Sequence, residues 1–252
     1  MGLVYAIANQ KGGVGKTTTA VNLGASIAAL NEQTLVVDLD AQCNATVSLG
    51  LSRDERPSSY DCLCGACSVA AAARPAATPN LWVVPANRDL AGAAVELPGL
   101  ERYQYRLRTE LGEVHERFAA TLLDCPPSLG PVTVNALTAA DRAIVPVQAE
   151  YLALEGLVQF LDTLETVRRE LNPGLVLTGL LITMADERTN LAQDVEKELR
   201  DHFPELLLKT VVPRSVRVAE APSFAVPVTE HAPESPGAVA YRQLAKEVLA
   251  RG

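Results

Sequence analysis

Lys11-Gly-Gly-Val-Gly-Lys16-Thr17-Thr18 follows the apolar run Leu3 to Ala8 and precedes a helical pattern in which Ala20, Leu23, Ile27 and Leu30 recur at helix spacing. An apolar strand, a glycine-rich turn and a helix are the setting in which a Gly-Lys-[Ser/Thr] step binds phosphate. Gly12, Gly13, Val14 and Gly15 can turn consecutive backbone N–H groups inward around an anion, and the helix N-terminus behind them adds partial positive charge. In such a loop Lys16 reaches the β- and γ-phosphates, Thr17 joins a magnesium shell, and Thr18 continues into the helix.

Outward from this loop, short apolar runs alternate with helical patterns. Thr34 to Asp40 (TLVVDLD), Leu81 to Pro85, Thr121 to Asp124, Ala143 to Val147, Val176 to Thr183 and Lys209 to Val212 read as strands. Helices are expected over about 101–117, from Leu154 to Leu171, across Leu191, Val195 and Leu199, and from Val239 to Ala250. Residues 52–79, with Pro57, Pro75, Pro79 and an alanine run, read as a surface excursion, and the proline-rich stretch 213–236 reads as loop. The pattern predicts a single α/β domain over 1–252, with a mostly parallel, twisted sheet covered by helices on both faces. Ligands of such sheets sit at the carboxyl ends of the strands. The Lys11 loop, Asp38 with Asp40, and Asp124 all stand there, so three features converge on one nucleotide site.

Composition narrows the class. The chain has 252 residues, 48% of them hydrophobic, enough for one substantial core. No apolar run is long enough to span a membrane, and no leader or acylation signal is read at the N-terminus, so a cytoplasmic location is expected. The net charge of −8 argues against a globally basic nucleic-acid binder and confines any DNA contact to a local patch. Five cysteines without an export signal argue against disulfides. Cys62, Cys64 and Cys67 crowd together, but no histidine lies near them in sequence, which weighs against a metal site.

Five residues before the Gly-Lys-Thr step, where a phosphate loop usually has glycine, stands Gln10, and Lys11 adds a second lysine at the loop entrance. In this the chain resembles the deviant Walker A ATPases of the ParA/MinD/NifH group, and within it the chromosomal ParA/Soj family. The stretch Asp38-Leu-Asp40-Ala-Gln-Cys-Asn44-Ala-Thr46 is similar to the family's Asp-x-Asp-Pro-Gln-Gly-Asn-Ala-Thr, with Ala41 and Cys43 in place of Pro and Gly. The resemblance implies that Asp40 orients the attacking water, that Asp38 lies near the metal, and that Asp124, as a Walker B carboxylate, holds Mg²⁺ with Thr17. It implies that Lys11 crosses to the partner's phosphates when two ATP-bound subunits meet, with Glu150 as its alternative partner. Two facing triphosphates repel, and a point charge on a long stem suits that task. The stretch Val211 to Ser223 is similar to the family's adenine loop, which places Pro213 and Ser215 at the base; Ser215 stands where Asn is usual.

Thr183-Met-Ala-Asp-Glu-Arg188-Thr resembles the family motif whose arginine carries non-specific DNA binding, with Arg214, Arg217, Arg242 and Lys246 as further candidates. What the resemblance implies is an ATP- and Mg²⁺-dependent ATPase of chromosome or plasmid segregation, nucleoid-associated, dimeric in ATP, binding double-stranded DNA and stimulated by a ParB-type protein. A MinD-like or other cargo-positioning ATPase without DNA binding is the alternative, although the chain ends at Gly252 without a basic amphipathic extension after the last helix. An iron–sulfur carrier and a P-loop ligase such as a dethiobiotin synthetase match the motifs less well.

Overall fold

The computed structural model describes residues 2–149, 153–186 and 190–251. Glu150 and Arg188 lie outside them. In chain order the elements are β1 (Leu3–Ile7), α1 (Lys16–Ala28), β2 (Thr34–Asp38), α2 (Asn44–Ser48), α3 (Ser59–Cys64), α4 (Val69–Ala72), β3 (Arg74–Pro75), β4 (Leu81–Val84), α5 (Leu90–Glu96) and α6 (Arg106–Gly112). They continue with β5 (Ala120–Asp124), α7 (Pro131–Ala139), β6 (Arg142–Gln148), α8 (Ala153–Glu170), β7 (Val176–Ala185), α9 (Asn190–His202), β8 (Leu207–Pro213), α10 (Val216–Glu220), α11 (Val228–His231) and α12 (Pro236–Ala250). The sheet has eight strands in the order β3-β4-β2-β5-β1-β6-β7-β8. Every pairing is parallel except β3 with β4.

The strands read as continuous apolar runs because both faces of the sheet are covered. Alternation along β1 sends Val4, Ala6 and Ala8 into one core and Tyr5 and Ile7 into the other. The first core takes apolar residues of α3 to α9; the second is closed by α1 and α12. Close approach of α1 to β2 requires Gly24: a Cβ there would stand 2.9 Å from Val36 Cγ2. Helix α12 is capped by Ser235, whose hydroxyl accepts the Ala238 N–H at 3.3 Å, and starts with Pro236 in the first turn. On α12, Glu247 accepts the N–H groups of Lys209 and Thr210 at 2.7 and 2.9 Å, and so covers part of the open edge of β8.

Two stretches differ from the sequence reading. Residues 52–79 are not a surface excursion: Cys62, Leu63, Val69 and Ala72 are buried in the first core, and Arg74–Pro75 adds an antiparallel edge strand to β4. Its helices have only six and four residues, too short for a periodic signal. The stretch 213–236 is also not plain loop, since α10 and α11 form between its prolines. Over 101–117 the α-helix is confined to Arg106–Gly112.

Register is what builds a site on this scaffold. Ile7 is opposite Asp124 across β1 and β5, and Asp38 is opposite Asp124 across β2 and β5. The end of β1, where the glycine-rich loop departs, and two strand-terminal carboxylates are thereby brought to one level.

Candidate functional site

Gly13 and Gly15 adopt φ of 75° and 86°, the left-handed region that favours glycine, and Gly15 caps α1 directly. The loop is tied from three sides. Asn9 Oδ1 accepts the Lys11 N–H at 3.0 Å while its Nδ2 donates to the Pro146 carbonyl at 2.8 Å. Thr183 Oγ1 on β7 donates to the Val14 carbonyl at 2.8 Å. Lys16 Nζ folds back onto the Lys11 carbonyl, also at 2.8 Å. Lys16 is buried, which lowers its pKa, while Asp124, Cys125 and Asp40 nearby oppose the shift. An ammonium held this way is positioned for an anion entering the loop.

The two strand-end carboxylates have different surroundings. Asp38 Oδ2 accepts both the N–H and the hydroxyl of Thr46, at 2.8 and 2.7 Å, and Oδ1 accepts the Asp40 N–H at 3.1 Å. Thr46 is itself locked, its hydroxyl oxygen accepting the Ala86 N–H at 2.8 Å. Burial raises the Asp38 pKa against these hydrogen bonds. Asp124 is equally buried, yet neither of its oxygens has a hydrogen-bond partner among the described residues. Burial and then the Asp38 charge push its pKa well up; the Thr17 hydroxyl, close by but without ordinary bonding geometry, and Lys16 pull it down. A buried carboxylate left with open lone pairs beside a hydroxyl fits a small divalent cation, which takes oxygen ligands and offsets the burial penalty. Asp124 and Thr17 are the residues that would hold Mg²⁺; Asp38 secures the loop that carries Asp40.

Asp40 is half-buried and accepts the Gln42 N–H at 2.9 Å. It lines a cleft of about 330 Å³ together with Gly12, Gly13, Gly15, Lys16, Thr17 and Thr18. A second pocket of about 250 Å³ shares Gly15, Thr18 and Met184 with that cleft and is walled by Pro213 and Ser215. The phosphate loop, Asp40 and an apolar side pocket thus adjoin through shared lining residues, an arrangement that suits a nucleoside triphosphate.

A family model described as an AAA domain matches residues 2–177. The chromosome-partitioning ATPase Soj of Thermus thermophilus is 54% identical over 246 residues, which is 98% of this chain and 95% of that protein. The chain belongs to the ParA/Soj family. The sporulation initiation inhibitor protein Soj of Bacillus subtilis is 47% identical over 253 residues, the whole of both proteins. Among solved structures, a cobyrinic acid a,c-diamide synthase from Mycobacterium smegmatis with bound ATP analog and magnesium superposes with a TM-score of 0.87 at 39% identity, covering 99% of this chain and 95% of that one.

Where the ParA/Soj pattern has glycine, Cys43 adopts φ of 56°, so this loop keeps the left-handed turn with a side chain attached. Cys43 is buried, its thiol pKa pushed up to about 11 by burial and by Asp38. The candidate DNA residues are less alike than their sequence suggests. Arg214 is exposed beside Pro213. Arg217 is paired with Glu220, which also meets His231 Nε2 at 3.0 Å, so its charge is locally offset. Arg242 is half-buried and Lys246 exposed on α12, opposite the buried Leu244 and Val248. Sequence reasoning assigned no role to Asn9, Thr46 or Thr183. Their signal was a polar residue at or near the end of an apolar strand, or one helical turn into α2, where burial forces it to find a partner.

Proposed function

We propose that this ATPase acts in DNA segregation by alternating between a monomer and an ATP-bound sandwich dimer that holds DNA without sequence preference. The observation that carries the reading is the juxtaposition, set by strand register, of a buried Asp124 with open lone pairs and the Lys16–Thr17 end of the loop. Mg²⁺, when bound, would supply positive charge to the β- and γ-phosphates. The chain itself cradles the phosphates with the Gly12–Gly15 amides, offsets their charge with Lys16, and presents Asp40 to the cleft to orient water. Lys11 reaches the partner's triphosphate, so ATP binds the dimer better than the monomer and shifts the population toward it. Pro213 and Ser215 flank the base.

DNA is held through phosphate contacts of Arg188, with Arg214, Arg242 and Lys246 extending the patch and Arg217 available when its pairing to Glu220 opens. Hydrolysis, stimulated by a ParB-type protein, releases the DNA, which would place the chain on the nucleoid in its ATP state. Among the described residues no helix is long and apolar enough to cross a membrane. The test is a band shift with ATP, ADP or no nucleotide at two salt concentrations. Binding in ATP alone, falling steeply with salt and indifferent to sequence, supports the proposal. Absence of binding in every state would leave the nucleotide site standing and move the reading to positioning of another cargo.

A further inference from the structure

The three cysteines of the 52–79 segment have no part in the nucleotide site. Helix α3 is fixed at its start by Ser58 and Asp61: Asp61 Oδ2 accepts the Ser58 N–H at 2.7 Å and the Ser58 hydroxyl at 2.8 Å. Ser59 ties the same turn to the core, its N–H donating to the Pro85 carbonyl at 2.8 Å and its hydroxyl to the Asp38 carbonyl at 2.5 Å. The far end closes as a Schellman turn, with Ala66 N–H on Asp61 O at 2.8 Å, Gly65 N–H on Cys62 O at 3.1 Å, and Gly65 at φ of 79°. That turn folds the chain back so that Cys67 Sγ meets Cys62 Sγ at 3.5 Å. Cys62 is fully buried, whereas Cys67 is half-buried and reachable.

We infer that Cys62 and Cys67 form a peroxide-reactive dithiol in which Cys67 is oxidised first and Cys62 closes an intramolecular disulfide. Oxygen transfer from the peroxide forms the S–O bond on Cys67 and breaks the O–O bond, releasing water or an alcohol. The Cys62 sulfur then attacks Cys67; the S–S bond forms, the S–O bond breaks, and hydroxide leaves with the Cys62 proton as water. The order follows access, since only Cys67 can be approached from solvent while Cys62 lies behind it in contact. Burial, with Asp61 and Glu110 nearby, raises both thiols' pKa; the Cys62 thiol and Arg74 oppose this at Cys67. Both therefore stay protonated at neutral pH, so each step is slow compared with a low-pKa sensor pair, and the 3.5 Å separation of the sulfurs is what directs the Cys67 sulfenic acid to Cys62.

The test uses the full chain with Cys64→Ser, which leaves the pair intact and removes the third thiol of the segment. After hydrogen peroxide, alkylation in denaturant without reduction, and digestion, the peptide carrying Cys62 and Cys67 is expected unalkylated and two hydrogen atoms lighter. Cys62→Ser is expected to leave Cys67 as a sulfenic acid that dimedone captures in several-fold higher yield than in the parent chain. Since Cys62 is buried, Cys67→Ser provides a gentler control, expected to show neither bridge nor dimedone adduct in this peptide. Full alkylation of both cysteines after peroxide, or equal dimedone capture with and without Cys62, would overturn the inference. A bridge between Cys64 and Cys67 in the wild-type chain, treated in the same way, would overturn it as well.

Discussion

Asp124→Asn is expected to stabilise the metal-free protein while abolishing turnover. Asp124 is wholly buried, both its oxygens are unpartnered, and Asp38 is its register neighbour on β2. Burial and the Asp38 charge hold its folded-state pKa above the unfolded value of about 3.9. A carboxyl with a raised folded pKa keeps its proton longer in the folded chain than in the unfolded one. Stability therefore falls as pH rises above about 4, by up to about 1.4 kcal/mol per pH unit for this one proton, until the folded carboxyl has ionised. Asparagine removes the buried charge, a gain of about 1–4 kcal/mol, but introduces an amide that lacks a partner, a loss of about 1–3 kcal/mol. At mid-range values the net expectation at pH 7 is about 0.5 kcal/mol more stable, a rise in Tm of roughly 1–2 °C.

Urea unfolding from pH 5 to 8 in chelator, on both proteins, measures this. The wild-type curve should fall with pH more steeply than the variant's. Adding Mg²⁺ with ATP should stabilise the wild type strongly and the variant little, and hydrolysis by the variant should drop by about 100-fold or more. An Asp124→Asn variant no more stable than wild type in chelator, with the same pH slope, would refute the claim that Asp124 is held at a cost for a cation.

Thr46→Val strands the Ala86 N–H and withdraws the Thr46 O–H donor from Asp38, and should cost about 2–4 kcal/mol in urea unfolding. Gly13→Ala meets no heavy atom of the described residues within 4 Å but must hold φ of 75°, so a conformational cost of about 1–2 kcal/mol is expected, with weaker nucleotide binding by calorimetry. Glu247→Gln tests the sheet edge. Burial pushes the Glu247 carboxyl up, but the Lys209 and Thr210 donors and Arg251 outweigh it, so its folded pKa lies below the unfolded value of about 4.3. Its contribution is present above that value and lost as pH falls through the folded one; the variant should be about 1 kcal/mol less stable at pH 7 and converge with wild type in acid. Lys11→Ala should keep ATP binding but lose the ATP-dependent dimer on size exclusion; unchanged dimerisation would sink the proposed role in trans.

The strands β1, β2, β5, β6 and β7 were legible because burial on both faces forces long apolar runs, and the loop because left-handed turns at Gly13 and Gly15 admit few other residues. Helices α8, α9 and α12 announced themselves through their apolar spacing. The segment carrying α3, α4 and β3 did not, since elements of two to six residues have no period and their stability comes from tertiary contacts such as Ser59 to Asp38. Likewise the pairing of Arg217 with Glu220, three residues on along α10, depends on a helix that the prolines around it concealed.

The carboxylates show what strand patterns leave open. Asp38 and Asp124 each end an apolar parallel strand, and sequence alone offers both for the metal. Register puts them side by side, where two charges without separate partners would repel. Thr46, one turn into α2, resolves the conflict by supplying two donors to Asp38, while the Asp40 N–H supplies a third. No such set of donors holds Asp124 among the described residues. The difference arises from α2 and the loop before it, not from either strand: Cys43 turns the chain at positive φ so that Thr46 faces Asp38, and the same turn carries Asp40 to the cleft. One loop thus fills one carboxylate, leaves its neighbour open and carries a third acid to the cleft, so under the roles proposed for Asp124 and Asp40 replacing Thr46 should disturb both metal and water positions although it touches neither.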